Sequence, residues 1–285
     1  MKEDTQLNIA NNPTDRFQFS LPFFDEVVNQ KGEKEIIISN QKLILFWESL
    51  GFRKVIDETG NYILVNIEKS TIVKEVKEHL LRSEIREYTK HIKRLDVWEL
   101  FLKSEYVVKK HFESFHTIVM TRNTGDENTG YLYYQNVILK ITADSIEPIE
   151  FENFQGYVWE KEIIKRDFIF SEDAECVFGE FVRIIANDEP NRLKSIVSII
   201  GYLLHSFKDP SFSKSIILMD SEIDVEFDEA NGGTGKSLIG TAIGQIVPSL
   251  FMDGKNIKSQ DKFKLSGLQS HHKIIFFDDV KKDFD

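Results

Sequence analysis

Cysteine is almost absent from this chain. Cys176 is the single one in 285 residues, which excludes a disulfide framework or a cysteine zinc cluster and fits a reducing compartment, the cytoplasm. A lone thiol of this kind is expected to be a small buried apolar residue. Long apolar runs are missing too. None approaches the roughly 18 residues of a transmembrane helix, so no membrane partner is expected. The start, Met1-Lys-Glu-Asp-Thr-Gln, lacks the apolar stretch of a signal peptide. A basic excess is also lacking. The net charge of −11 argues against a uniformly basic nucleic-acid surface but leaves room for a local one. No repeat or low-complexity tract is present. What the chain does have is 41% hydrophobic residues, enough for packed cores, over a length that suits two domains or one large domain with an arm.

The stretch richest in chemistry is Ala230-Asn231-Gly232-Gly233-Thr234-Gly235-Lys236-Ser237-Leu238. It follows the phosphate-binding loop pattern except at its first position, where Ala230 replaces the usual glycine. Glycines let backbone N–H groups close around phosphate oxygens. Lys236 can reach the β- and γ-phosphates, and Ser237 can hold Mg²⁺. The following residues predict a helix with Leu238, Ile239, Ala242, Ile243, Ile246 and Val247 on one face, stopped by Pro248. Its N-terminal dipole would add to the anion site. Upstream, Ser215-Ile-Ile-Leu-Met-Asp220 predicts a short buried strand. The segment Ser221 to Glu229 separates it from the loop, which is longer than a tight strand–loop–helix unit needs. Taken alone, a glycine-rich turn before an ordinary helix would look the same.

A second motif argues for the loop. Lys273-Ile-Ile-Phe-Phe-Asp278-Asp279 reads as a parallel strand buried on both faces, with two carboxylates at the end where open α/β sheets bind ligands. Asp278 would hold Mg²⁺, and Asp279 would orient or deprotonate the attacking water. A core strand ending in a solvated acidic turn is the plainer alternative for this motif alone. Asp278 follows Lys236 by 42 positions, room for one helix and one intervening strand.

Residues 1–20 read as a mobile arm. Leu43 to Gly51 predicts a helix ended by the glycine. Arg53–Asp57 and Tyr62–Ile67 predict strands around a turn at Glu58–Asn61. Thr71 to about Lys90 predicts a long charged helix, and Val97–Phe115 continues helical. Together these make a small α+β module over 21–120. Its cations Lys74, Lys77, Arg82, Arg86, Lys90, Lys93 and Arg94 interleave with Glu75, Glu78, Glu84 and Glu87. The favoured reading is a solvated face with i,i+4 ion pairs, and nucleic-acid contact is the alternative. Residues 121–210 form a strand-plus-helix domain. Tyr131 to Ile141 is strand-like and can split into a hairpin at Asn136. Tyr131, Tyr133 and Tyr134 are expected to pack in a sheet rather than stack on bases. Helices follow from Glu172, with Phe178, Phe181, Val182, Ile184 and Ile185 as one cluster, and over Arg192–Phe207. Residues 211–285 hold the two phosphate-site motifs.

These residues have a family look. The chain resembles phage- and prophage-type primase–helicases, whose motor belongs to helicase superfamily 3, as in poxvirus-type primase–helicases. Three stretches carry the resemblance: Tyr131-Leu-Tyr-Tyr-Gln-Asn-Val-Ile-Leu-Lys-Ile-Thr, then Ser195-Ile-Val-Ser-Ile-Ile-Gly-Tyr-Leu-Leu204, and then Gly232-Gly-Thr-Gly-Lys-Ser-Leu with Asp253-Gly-Lys-Asn256 and Phe276-Phe-Asp-Asp-Val-Lys-Lys282. The last group is the most specific. The resemblance runs from about residue 40 onward. It implies an α/β chain: a mainly helical, α+β N-terminal region followed by an incomplete P-loop NTPase parallel sheet of AAA+-like, superfamily 3 type. It implies ATP and Mg²⁺ as cofactors, single-stranded DNA as a partner, a homo-oligomeric ring in the full-length protein, and the bacterial host cytoplasm as its location. By the same resemblance, Asn231 to Leu238 bind nucleotide, Ser237 and Asp278 bind Mg²⁺, and Asp278 with Asp279 serve hydrolysis. Lys255 could face DNA or phosphate.

Two other functions remain open: a P-loop ATPase acting as a regulatory or defence switch, and a non-catalytic docking module for replication proteins. Primase activity is not assigned, because the carboxylates of residues 1–200 show no paired spacing. Adjacent His271 and His272 suit a strand entry better than metal ligation. The family's hairpin, sensor strand and arginine finger would all follow Asp285. Without the sensor strand, the sheet is expected to have a central gap and exposed apolar edges. Chain 1–285 alone should therefore bind nucleotide weakly and lack helicase activity. A strand-displacement assay checks this, and robust ATP-dependent unwinding would refute it.

Overall fold

The computed structural model describes residues 17–18, 20–56, 60–103, 109–120, 123–171, 176–209, 211, 214–219, 234–257, 265–269 and 271–280. Across these residues the chain is mixed α/β, with seven α-helices and both parallel and antiparallel strand pairing. It divides into two units, Met1–Thr121 and Arg122–Asp285. The expected arm up to residue 16, residues 58 and 59 of the expected turn, and Tyr106 with Val107 lie outside the described residues.

In the first unit, β1 (Phe24–Val28) and β2 (Lys34–Ile38) form an antiparallel hairpin. Asn29 closes it: its side-chain oxygen accepts from the N–H groups of Lys31 and Glu33. Ser39 then caps α1 (Asn40–Ser49) by accepting from the Lys42 N–H, and the helix stops just before Gly51. β3 (Phe52–Ile56) and β4 (Tyr62–Glu68) pair antiparallel, close to their predicted limits.

The long helix predicted from Thr71 begins only at Glu78. Ile72–Glu75 is instead a strand, β5, antiparallel to β4. Thr71, Ile72 and Val73 are all buried there, and β-branched side chains suit a pleated surface better than a helix. α2 (Glu78–His91) follows. The helical stretch expected over 97–115 is divided into α3 (Leu95–Leu102) and α4 (Lys109–Glu113). β6 (Thr117–Ile118) runs parallel to β3, so the strands lie in the order β5-β4-β3-β6.

The core of this unit gathers Leu43, Phe46 and Trp47 from α1, Leu81 and Ile85 from α2, and Phe23, Phe52 and Phe115. Trp47 is fully buried, and its indole N–H donates to the Leu81 carbonyl at 3.1 Å. That single bond ties α1 to α2 across 34 residues and satisfies a polar atom that burial would otherwise strand.

In the second unit, β7 (Gly130–Tyr133), β8 (Ile138–Ile141) and β9 (Ile146–Ile149) form an antiparallel sheet, with β7 and β8 split near Asn136. Tyr131 and Tyr133 meet the edge of Phe154, and Tyr134 packs on Phe168. These rings are engaged in the fold. A short β10 (Val158–Trp159) precedes α5 (Val177–Ile185) and α6 (Pro190–Leu204). Cys176 is exposed, contrary to expectation. Its sulfur caps α5 by accepting from the Gly179 N–H, a local bond available only at a helix start. Ile184, expected in the α5 cluster, is 61% exposed.

α7 (Lys236–Gly244) leads to the parallel pair β11 (Ser249–Asp253) and β12 (Ile274–Asp278). Ile239, Ile243, Val247 and Ile274 are buried together, with Phe181 and Ile185 of α5 and Ile196 and Ile200 of α6 against them. Two predictions fail here. Ser215–Met219 forms no strand, and Ile217 and Met219 are 77% and 65% exposed. A strand exists through pairing, and no described strand is paired with it. Leu238 lies off the apolar face of α7 and is 53% exposed. Among the described residues, no helix is long and apolar enough to cross a membrane.

Replacing Trp47 by Ala should cost about 3–5 kcal/mol, and by Phe distinctly less, because Phe keeps most of the buried ring. Urea unfolding followed on the first unit measures the difference.

Candidate functional site

α7 packs on the β11–β12 pair through two glycines. A Cβ on Gly240 would come within 3.2 Å of the Phe276 ring, and one on Gly244 within 2.9 Å of Phe251. Those two rings stack on each other across the parallel strands, with centroids 4.8 Å apart and planes at 18°. Such a ring pair adds about 0.5–1.5 kcal/mol beyond its buried area. The glycines let the helix sit down on the rings, and that sets where the helix begins relative to the strand ends.

The helix begins at Gly235, whose φ of +91° is left-handed. This backbone suits glycine and penalises any L side chain. A Cβ there would also lie 2.9 Å from the Phe181 ring of α5. Conformation and packing therefore both require glycine at this position. Lys236 and Ser237 open the helix next, with their backbone N–H groups in the first turn, where the dipole favours an anion. The Lys236 ammonium donates to the Thr234 hydroxyl at 2.9 Å.

The strand ends gather the acids. Parallel register sets Asp253 beside Asp278, and Asp279 follows directly. The Ser237 hydroxyl donates to Asp278 Oδ1 at 2.9 Å, joining residues 41 apart in sequence. Asp279 has a φ of +52°, an uncommon state for a non-glycine residue that Asp tolerates better than most. Its Oδ2 pairs with Lys255 Nζ at 2.8 Å. Lys255 is placed by the turn after β11, where Asp253 accepts from the Lys255 N–H. The bond to Asp279 raises the affinity of the Lys255 ammonium for its proton, with the nearby charges of Asp279, Asp253 and Asp278 acting in the same direction. Both partners are over 60% exposed, so this pair orients more than it stabilises.

The structure therefore brings together Thr234, Gly235, Lys236, Ser237, Asp278 and Asp279. Asn231, Gly232 and Gly233 lie outside the described residues. Leu238 belongs to the same first turn through its backbone. The contact of Gly235 with Phe181 was not legible in the motif, because it depends on a helix over 50 residues upstream. The Lys255–Asp279 pair was foreshadowed only by Lys255 lying in a short turn between the motifs. His271 and His272 precede β12 with rings 4.4 Å apart, and His272 Nδ1 accepts from the Gln269 N–H.

As a cation site, the cluster offers a hydroxyl and a carboxylate. Among the described residues no group of three or more His, Cys, Asp or Glu could hold an ion. A hard ion that takes few protein ligands and completes its shell with phosphate oxygens and water fits such a pair, whereas an all-protein cage does not. Comparison of this chain with protein-family models, curated proteins and solved structures gives no match.

Gly235→Ala should destabilise the second unit by about 1–2 kcal/mol or more. Gly201→Ala, in the last turn of α6 with nothing within 4 Å of the added Cβ, should stabilise by about 0.5–1 kcal/mol. Thermal unfolding of the two variants should shift in opposite directions.

Proposed function

We propose that this chain supplies the nucleotide-binding and hydrolytic elements of a P-loop ATPase of the superfamily 3 type, in a ring-forming replicative primase–helicase that moves on single-stranded DNA. The observation that carries the reading is the 2.9 Å hydrogen bond from Ser237 to Asp278. It joins the first turn of a helix that follows a glycine-rich segment to the C-terminal end of a parallel strand. The chain order agrees with the reading: loop, α7, β11, then β12 with its two carboxylates.

In this reading the first turn of α7 receives the nucleotide phosphates, and Lys236 moves from Thr234 to the β- and γ-phosphates. Mg²⁺, when bound, offsets charge on the transferring phosphoryl group. Ser237 and Asp278 are the residues that would hold it, trading their mutual bond for the ion. Asp279 accepts a proton from, or orients, the attacking water. Lys255 steadies the Asp279 carboxylate.

The test is titration of the chain with a fluorescent ATP analogue in Mg²⁺. Lys236→Ala should weaken binding about tenfold or more, near 1.4 kcal/mol. Asp279→Asn should leave binding within about threefold and lower any hydrolysis by about 10²–10⁴. Absence of nucleotide binding, or equal binding by Lys236→Ala, would overturn the proposal.

A further inference from the structure

The strand that ends at the candidate site is written in doublets. Ile274-Ile275-Phe276-Phe277-Asp278-Asp279 gives the alternate positions 274, 276 and 278 the same residue types as 275, 277 and 279. A strand that slips by one residue turns its other face to the same surroundings and moves about 3.3 Å along its axis. Such a slip in β12 would set Phe277 against Phe251 in place of Phe276, and Ile275 in the core in place of Ile274. It would also bring Asp279 to Ser237 in place of Asp278. Burial weighs little against it, because Ile275, Phe276 and Phe277 are all half-buried. Backbone bonding is indifferent as well. The Lys273 N–H donates to the Pro248 carbonyl at 2.8 Å, and any non-proline residue could do the same.

One charged contact breaks the tie. Lys273 Nζ lies 3.3 Å from Glu162 Oε1, and the Glu162 side chain is only 6% exposed. Glu162 closes a single 3-10 turn, Glu160–Glu162. Two residues on, the Ile164 N–H donates to the Tyr133 carbonyl of β7 at 2.7 Å, and Tyr133 and Ile164 are both buried. The carboxylate thus stands on a fixed support. After the slip, Ile274 would occupy the place of Lys273 and take the lysine from a buried carboxylate. Loss of one partner of a buried ion pair is strongly unfavourable. The opposite slip would carry Lys273 into the buried place of Ile274. Fixing register is the best-attested use of buried polar groups.

We propose that the Glu162–Lys273 pair is the register key of β12, and that these two positioning residues decide which aspartate meets Ser237. Under the ATPase reading, on which this rests, the choice assigns Asp278 to Mg²⁺ and Asp279 to the attacking water.

The test compares Asp278→Asn with Asp279→Asn in two backgrounds of the full chain. The readout is the Mg²⁺ concentration that half-saturates binding of a fluorescent ATP analogue. In the parent, Asp278→Asn should raise it about tenfold, and Asp279→Asn by less than about threefold. Glu162→Gln combined with Lys273→Met removes both charges and strands neither. In that background the gap between the two aspartate variants should close to less than about threefold. Lys273→Arg, which keeps the charge, should keep the gap. A pair that only stabilised the fold would shift the unfolding midpoint and leave the gap open. Hydrogen exchange reads the register without nucleotide. In the double variant the β12 amides should lose about tenfold or more in protection, with β3 and β4 unchanged. Glu162→Gln alone should give the same changes in part, and it replaces the double variant if that unfolds. Absence of nucleotide binding by the parent would sink the ATPase reading, and exchange of β12 would still judge the register. An undiminished gap between the aspartate variants, or β12 exchange equal to the parent's, would overturn the proposal.

Discussion

The seating of α7 on the Phe251–Phe276 stack is the contact on which the candidate site depends. A helix with ordinary side chains at 240 and 244 would ride higher on those rings. Ser237 would then lose its 2.9 Å approach to Asp278. The left-handed Gly235, wedged against Phe181, sets the other end of the same arrangement. Three glycines thus convert close packing into the geometry of the candidate site. Dense interiors transmit such small displacements instead of absorbing them.

The surroundings of the site are less buried than its supports. Ile239, Ile243 and Ile274 lie in a core shared with α5 and α6, whereas Ser237, Asp278, Asp279 and Lys255 are exposed. Buried side chains below hold rigid positions, and open polar groups above can exchange partners. The Ser237–Asp278 and Lys255–Asp279 contacts are of the kind that can be traded at little cost, because surface pairs of this sort contribute little net stability. The first unit follows a different logic. Its own aromatic core, closed by the Trp47 bond to Leu81, frees the outer face of α2 for charge.

Much of this was legible before the structure. Arg53–Asp57 and Tyr62–Ile67 read as strands and Gly51 as a helix end, close to the observed β3, β4 and α1. The glycine–lysine–serine loop and the paired aspartates identified the candidate site, including the helix and strand between them. The misreadings arose where composition and backbone partners disagreed. Thr71 to Lys77 has charges that suit a helix, yet β4 offers it an edge. Ser215–Met219 has the composition of a buried strand, yet no described neighbour pairs with it. Cys176 reads as a core residue but falls one position before a helix, where its sulfur serves the backbone. Strand pairing decided the first two cases, and a hydrogen bond to the backbone three residues on decided the third.

The sequence by itself determined which chemistry this chain can offer. Glycines before a lysine and a serine, and two carboxylates after an apolar run, are local patterns whose meaning follows from residue type and spacing. Tertiary structure alone decided which of those groups meet. It set Ser237 against Asp278, gave Lys255 to Asp279, and turned Glu84 inward, away from the exposed Arg82, Arg86 and Lys90. The reason is that spacing along a chain fixes the face of a helix or strand, whereas contact between elements follows from how their surfaces pack.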